Sequence, residues 1–124
     1  DPNAYYESCL LGFGAAELSQ FHQIAAYRAA WADPECRRAM CDDYRAALDV
    51  DLALDAADLH RRVSAPALVL YGQDGAMARA FDVPSTWADR LTQMQSAALP
   101  GGHFFVDQAP EATAKALAAF VASV

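Results

Sequence analysis

One stretch restricts the fold of this sequence more than any other: Ala65-Pro66-Ala67-Leu68-Val69-Leu70-Tyr71-Gly72, a short apolar run fenced by Pro and Gly. Unbroken apolar character over so few residues is the pattern of a strand covered on both faces, as in a parallel sheet between helices. Such a strand cannot stand alone. A weaker strand is predicted at Ser96-Ala97-Ala98-Leu99, ending at Pro100-Gly101-Gly102, and between the two a helix from Ser85 to Met94 puts Trp87, Leu91 and Met94 on one side. Pro110 and Glu111 start a last helix whose apolar stripe is Leu117, Phe120, Val121 and Val124. Strand, helix, strand, helix predicts a parallel pair joined by a right-handed crossover.

The first 62 residues follow a different grammar. Asp1-Pro2 is a good helix start, leading into Tyr5, Tyr6, Cys9, Leu10 and Phe13 before Gly12 and Gly14 interrupt the pattern. Ser19 is placed to cap a second helix that carries Phe21, Ile24, Tyr27, Arg28 and Trp31 up to Asp33-Pro34. A third helix starts there, with Met40, Cys41, Tyr44, Ala47 and Leu48 at three- and four-residue steps and charged residues on its other faces. A shorter acidic helix, Leu52 to Arg62, closes this half. The chain therefore divides into a helical segment, 1–62, and a strand-helix-strand-helix segment, 63–124, and its class is α/β.

Two parallel strands cannot bury both of their faces or leave no exposed edge, so the pattern is that of the last part of a larger α/β protein. With 124 residues and 55% hydrophobic content there is room for one core. Part of a sheet implies marginal stability and a tendency to associate, for which a homodimer is one form; the sequence does not fix the oligomeric state. Nine basic against 16 acidic residues give a net charge of −7 and a pI near 4.6. That field repels phosphate backbones and anionic lipid, so neither nucleic acid nor a membrane is an expected partner. No apolar run approaches the roughly 18 to 20 residues that span a bilayer. Cys9, Cys36 and Cys41 are odd in number and form no C-x-x-C pair, which predicts reduced thiols and a cytoplasmic address. The absence of an initiator Met ahead of Asp1 is read as the mark of a fragment.

Ligands of open α/β sheets bind at the carboxyl ends of the strands, which directs attention to Gly72-Gln73-Asp74-Gly75 and Pro100-Gly101-Gly102-His103. A His that follows a strand on a Gly-Gly turn can be projected over the sheet edge as a proton acceptor near neutral pH; the alternative is a capping or solvated His. Asp74 could orient such a His through Nδ1, or serve only as the turn residue of Asp-Gly. Tyr44 is either a core residue with a bonded hydroxyl or a phenol aimed into a pocket. Phe13, Trp31 and Trp87 are expected to pack. His22 and His60 lack partners at ligand spacing, so no metal is expected, and without a P-loop or G-x-G-x-x-G no nucleotide cofactor is either.

Leu68-Val69-Leu70-Tyr71-Gly72, Trp87, Leu99-Pro100-Gly101-Gly102-His103-Phe104-Phe105 and Ala109-Pro110-Glu111 together resemble the carboxyl-terminal end of an α/β-hydrolase. Asp1-Pro2 with Tyr5-Tyr6, Tyr27-Arg28, Asp33-Pro34 and Cys41-Asp42-Asp43-Tyr44-Arg45-Ala46 is similar to the cap of the haloacetate (fluoroacetate) dehalogenases. The resemblance implies that residues 1–62 are a cap segment and that the substrate is a small haloacid. It implies a two-step reaction in which an aspartate displaces halide and a His-activated water hydrolyses the ester. It makes His103 the general base and Tyr44 a donor to the departing halide. Phe13 stands where a tryptophan lining the halogen pocket is expected. The nucleophile, the arginines for the substrate carboxylate and the acid partner of the base all fall ahead of Asp1 in that family's pattern, so this chain alone should be inert. The more usual hydrolase acid would fall near Gly75, which has no carboxylate. A cap-bearing epoxide or ester hydrolase, and a non-catalytic protein-binding module, are the competing readings.

Overall fold

The computed structural model describes residues 1–15 and 17–124. The chain forms two compact units rather than one core, the first built from 1–6 and 23–61, the second from 7–22 and 62–124. The boundary near residue 62 coincides with the change in sequence character, while 7–22 group with the strand-bearing unit. Among the described residues no helix is long and apolar enough to cross a membrane. Cys9, Cys36 and Cys41 are free thiols.

Helix α1, Pro2–Gly12, starts on Pro2 as expected and contributes residues to both units. In the first unit α2 spans Ile24–Ala32 and α3 spans Pro34–Ala46. The corner between them is defined by Asp33, whose side chain accepts from the amide of Glu35 at 2.8 Å, and by Pro34 in the first turn. Arg37 closes it by donating to the carbonyls of Trp31 (2.6 Å) and Ala32 (2.9 Å). Trp31, only 5% exposed, anchors this unit. Its ring stacks on Tyr6 at 5.2 Å and its indole N–H donates to Asn3. Truncating a buried Trp of this kind costs about 3–5 kcal/mol.

Two expectations for this half are corrected. The helix predicted from Ser19 begins instead at Ile24. Leu18–Gln20 is an isolated 3-10 turn in which the Ser19 hydroxyl donates to Glu17, and Phe21, in an extended conformation, is buried with its ring 5.8 Å from Phe104. Burial of a phenylalanine outweighs the few tenths of a kcal/mol of propensity that continuing the helix would offer. The third and fourth helices, predicted as separate, run on through a π-helical turn at Ala47–Asp51 into α4, Leu52–Ala57, with helical dihedrals at both junctions. The fourth stops at Ala57, short of Arg62. Met40, Tyr44, Leu48 and Leu52 line one side of this rod and are exposed, so the stripe is not a core face within its own unit.

The second unit holds β1, Ala67–Gly72, and β2, Met94–Leu99, in parallel. Their register runs from Ala67 opposite Met94 to Gly72 opposite Leu99, and a parallel bridge between Val63 and Leu91 extends it. β2 starts two residues earlier than the apolar pattern suggests, and this shortens the preceding helix. The helix predicted from Ser85 to Met94 is α6, Val83–Ala88, preceded by α5, Ala76–Ala80, because pairing with β1 claims Met94 and Gln95 for the sheet. Asp82 caps α6 by accepting from the amide and hydroxyl of Ser85 (3.2 and 2.8 Å). Those two bonds, the hydroxyl's first, hold the Asp82 carboxyl below its ordinary value of 3.8.

After a single helical turn at α7, Phe105–Gln108, α8 spans Pro110–Val121. Its inner face is Thr113, Ala116 and Phe120, and Leu117, Val121 and Val124, predicted as its apolar stripe, are exposed. Residues 67–71 of β1 are half-buried rather than enclosed, for only one strand lies beside them among the described residues.

Candidate active site

At the carboxyl ends of both strands the backbone of the second unit converges on one turn. β2 ends at Leu99, which is buried and whose carbonyl accepts from Gln73, and Pro100 starts the turn. Asp74 clasps Gly101 from the first loop, donating its amide to the Gly101 carbonyl (2.9 Å) and accepting the Gly101 amide on Oδ2 (3.2 Å). Next, the Gly102 amide donates to Gln108 Oε1 at 2.8 Å, and the His103 amide donates to the carbonyl of Phe13 at 2.9 Å. Gly102 is buried so tightly that a Cβ there would lie 2.6 Å from the carbonyl of Gly14. The Gly-Gly pair is thus required by close approach of backbones as well as by turn geometry.

His103 leaves this turn with its side chain exposed, its ring 5.7 Å from Phe13 and 5.0 Å from Phe104. No side chain among the described residues hydrogen-bonds the imidazole. Asp74 is engaged with Gly101, so its role is that of a turn residue, and the reading in which it orients His103 is set aside. Phe13, expected to pack, is 47% exposed and stands at the imidazole; the two residues that sequence reasoning placed in the site from opposite ends of this unit are neighbours. Tyr44 belongs to the other unit, on α3, where 76% of its surface is exposed, and it is not the core residue that its stripe suggests. Trp31 packs as expected; Trp87 is half exposed.

An apolar groove of about 750 Å³ runs along β1 from Ala67 to Gly72, walled by Met77, Phe81, Trp87 and Leu91, with His103 at its end. Because it follows the whole strand rather than its carboxyl end, its shape is that of an uncovered sheet face. The site for chemistry is the end that His103 occupies. Among the described residues no three His, Cys, Asp or Glu side chains form a group that could hold a metal ion. Sequence reasoning overlooked Gln108 and the buried Asp107. Their only signal was polar character in the short apolar segment Phe104-Phe105-Val106 and after it.

No family model matches the chain. A fluoroacetate dehalogenase from Burkholderia sp is 46% identical over 123 residues, 98% of this chain and 40% of that protein. A crystal structure described as that of an α/β hydrolase from Nostoc sp PCC 7120 superposes with a TM-score of 0.89 at 37% identity, covering 98% of this chain and 42% of the other. One described as an epoxide hydrolase from Pseudomonas aeruginosa gives 0.83 at 32% identity, covering 99% and 42%. The chain spans about two fifths of the length of each of these three relatives. The parallel strand pair, the braced Gly-Gly-His turn and these likenesses lead to one conclusion: the chain has the fold of the carboxyl-terminal part of an α/β-hydrolase.

Proposed function

We propose that this chain supplies the general base and a halide-facing helix to a hydrolase that cleaves the carbon–halogen bond of a short haloacid. The observation that supports it most is the position of His103, exposed at the carboxyl end of β2 on a turn whose three amides are fixed, within a sequence 46% identical to a fluoroacetate dehalogenase. An aspartate outside these 124 residues attacks the α-carbon. Its oxygen forms the new C–O bond as the halide departs with the bonding electrons. The Tyr44 hydroxyl donates to the halide, a contact that gains strength only as negative charge develops. His103 then takes a proton from water as the water oxygen bonds to the ester carbonyl; the acyl C–O bond breaks, the departing oxygen takes that proton back from the imidazolium, and the hydroxyacid leaves with the aspartate regenerated. Phe13, beside the imidazole, walls the pocket. The helical residues 1–62 act as the cap, and the isolated chain lacks the nucleophile and is inactive.

The test is a chimaera in which residues 1–124 replace their counterpart in the Burkholderia relative. With His103→Ala it should release one equivalent of halide per site and then stop with the aspartyl ester accumulated, visible as an added mass on the protein, because attack does not need the base. Steady turnover by that variant would overturn the assignment. The likeness to an epoxide hydrolase favours a second reading with the same base and a different electrophile. Turnover of epoxides without halide release from haloacetates would select it.

A further inference from the structure

Of the three acceptors that hold the Gly101–His103 turn, one is a main-chain carbonyl (Phe13), one is the carboxylate of a turn residue (Asp74), and the third is a neutral side chain reaching in from α7. That third group is Gln108. Its Oε1 accepts the amide of Gly102, the residue immediately before His103, and its side chain lies flat under Gly101. Gly101 has φ +107°, and a Cβ on it would meet Gln108 Oε1 at 2.9 Å and Cβ at 3.2 Å. The Nε2 of the same carboxamide is buried and has no partner among the described residues. A buried carboxamide that leaves its donor half unpaired is held there for its acceptor half.

Resting on the reading of His103 as the base, we propose that Gln108 is a positioning residue: by fixing the Gly102 amide it sets the direction in which the imidazole leaves the strand. Gly102 is buried, so its N–H has no ready substitute for this acceptor, and without it the Gly101–Gly102 peptide must turn to find another. A peptide rotation next to His103 moves the imidazole. Displacement of a catalytic group by about 1 Å lowers rates by about a hundredfold. Only the second step uses the base, so the first should be untouched.

The same chimaera carries the test. Gln108→Leu, similar in volume and without an acceptor, should retain the single-turnover burst of halide and slow ester hydrolysis about ten- to a hundredfold. Gln108→Glu keeps an oxygen facing Gly102, and its second oxygen, buried where Nε2 has no partner among the described residues, is held protonated there, so the variant should restore hydrolysis to within a few-fold of the parent. Equal slowing of burst and hydrolysis by the leucine variant, or no rescue by glutamate, would reduce Gln108 to a packing role. If His103→Ala itself turns over steadily, the reading of the base fails. If His103→Ala traps the ester while Gln108→Leu hydrolyses it at the parent rate, only the role of Gln108 fails.

Discussion

His103 leaves β2 from a turn in which three successive amides have fixed acceptors, whereas Tyr44 stands on α3 with 76% of its surface exposed and Met40 and Leu48 exposed one turn to either side. The difference lies in where each residue finds its constraints. The histidine turn draws on Phe13, Asp74 and Gln108, all within the second unit, so its geometry is complete in this chain. Tyr44 draws only on the helix beneath it. A helix fixes the position of a Cβ and leaves the side-chain rotamer to whatever packs against it. Among the described residues the apolar stripe around Tyr44 is held by its helix alone, while the histidine turn is held by three acceptors.

Substitutions at the two places should separate these roles. Tyr44→Phe in the chimaera should lower the rate about ten- to a thousandfold, most for fluoride as the leaving group, while leaving the melting temperature unchanged, since an exposed hydroxyl contributes nothing to packing. Equal effects for all halides would mean that Tyr44 has no part in stabilising the departing ion. Gly102→Ala should act through structure and catalysis together. Its methyl group would meet the Gly14 carbonyl at 2.6 Å, which predicts about 1–3 kcal/mol of destabilisation and about a hundredfold slower ester hydrolysis. Urea titration and burst kinetics on one variant check both. Parent-like behaviour would show the turn to be more pliant than its contacts indicate.

A smaller change probes the first unit alone. Asp33→Ala removes the acceptor for the Glu35 amide at the start of α3 and should cost about 1 kcal/mol, read as loss of helical signal in denaturant without change at the histidine turn. The smallest effect belongs to Asp82. Its carboxyl is held below 3.8 in the folded state by Ser85, so its contribution is complete above that value and is lost as pH falls through the lower folded one. Ser85→Ala removes the hydroxyl's part of that contribution, so it should lower the melting temperature slightly at neutral pH and not at all once pH is below the folded value, which flattens the acid limb. An unchanged acid limb would show that the cap carries no linked proton.

Much of this was legible in the chain itself, for reasons that are local. Asp33-Pro34 marks a helix start wherever it occurs, since the carboxylate satisfies a free amide and the ring has no hydrogen to leave unpaired. Leu68-Val69-Leu70 between Pro66 and Gly72 marks a strand because β-branched and aliphatic residues fit a pleated, covered surface. Trp31 was legible as packing for the same kind of reason. The boundaries at Ile24 and Met94 were not, because one depends on Phe21 reaching Phe104 and the other on pairing with Ala67, contacts that no window of sequence contains. Leu117 and Val121 misled because an apolar stripe predicts which residues share a face, not whether this chain covers it.

The amino-acid order by itself determined the helix starts at Pro2, Pro34 and Pro110, the two strands, the parallel pairing and the presence of a histidine on a glycine turn. Each of these follows from backbone sterics and short-range periodicity. Only the tertiary structure decided that Asp74 serves the backbone of Gly101 instead of the imidazole, that Phe13 meets His103 across 90 residues of sequence, and that Gln108 lies beneath the turn. Those outcomes depend on which acceptor is nearest once the strands have paired, and a hydrogen bond is decided by tenths of an ångström that composition does not encode.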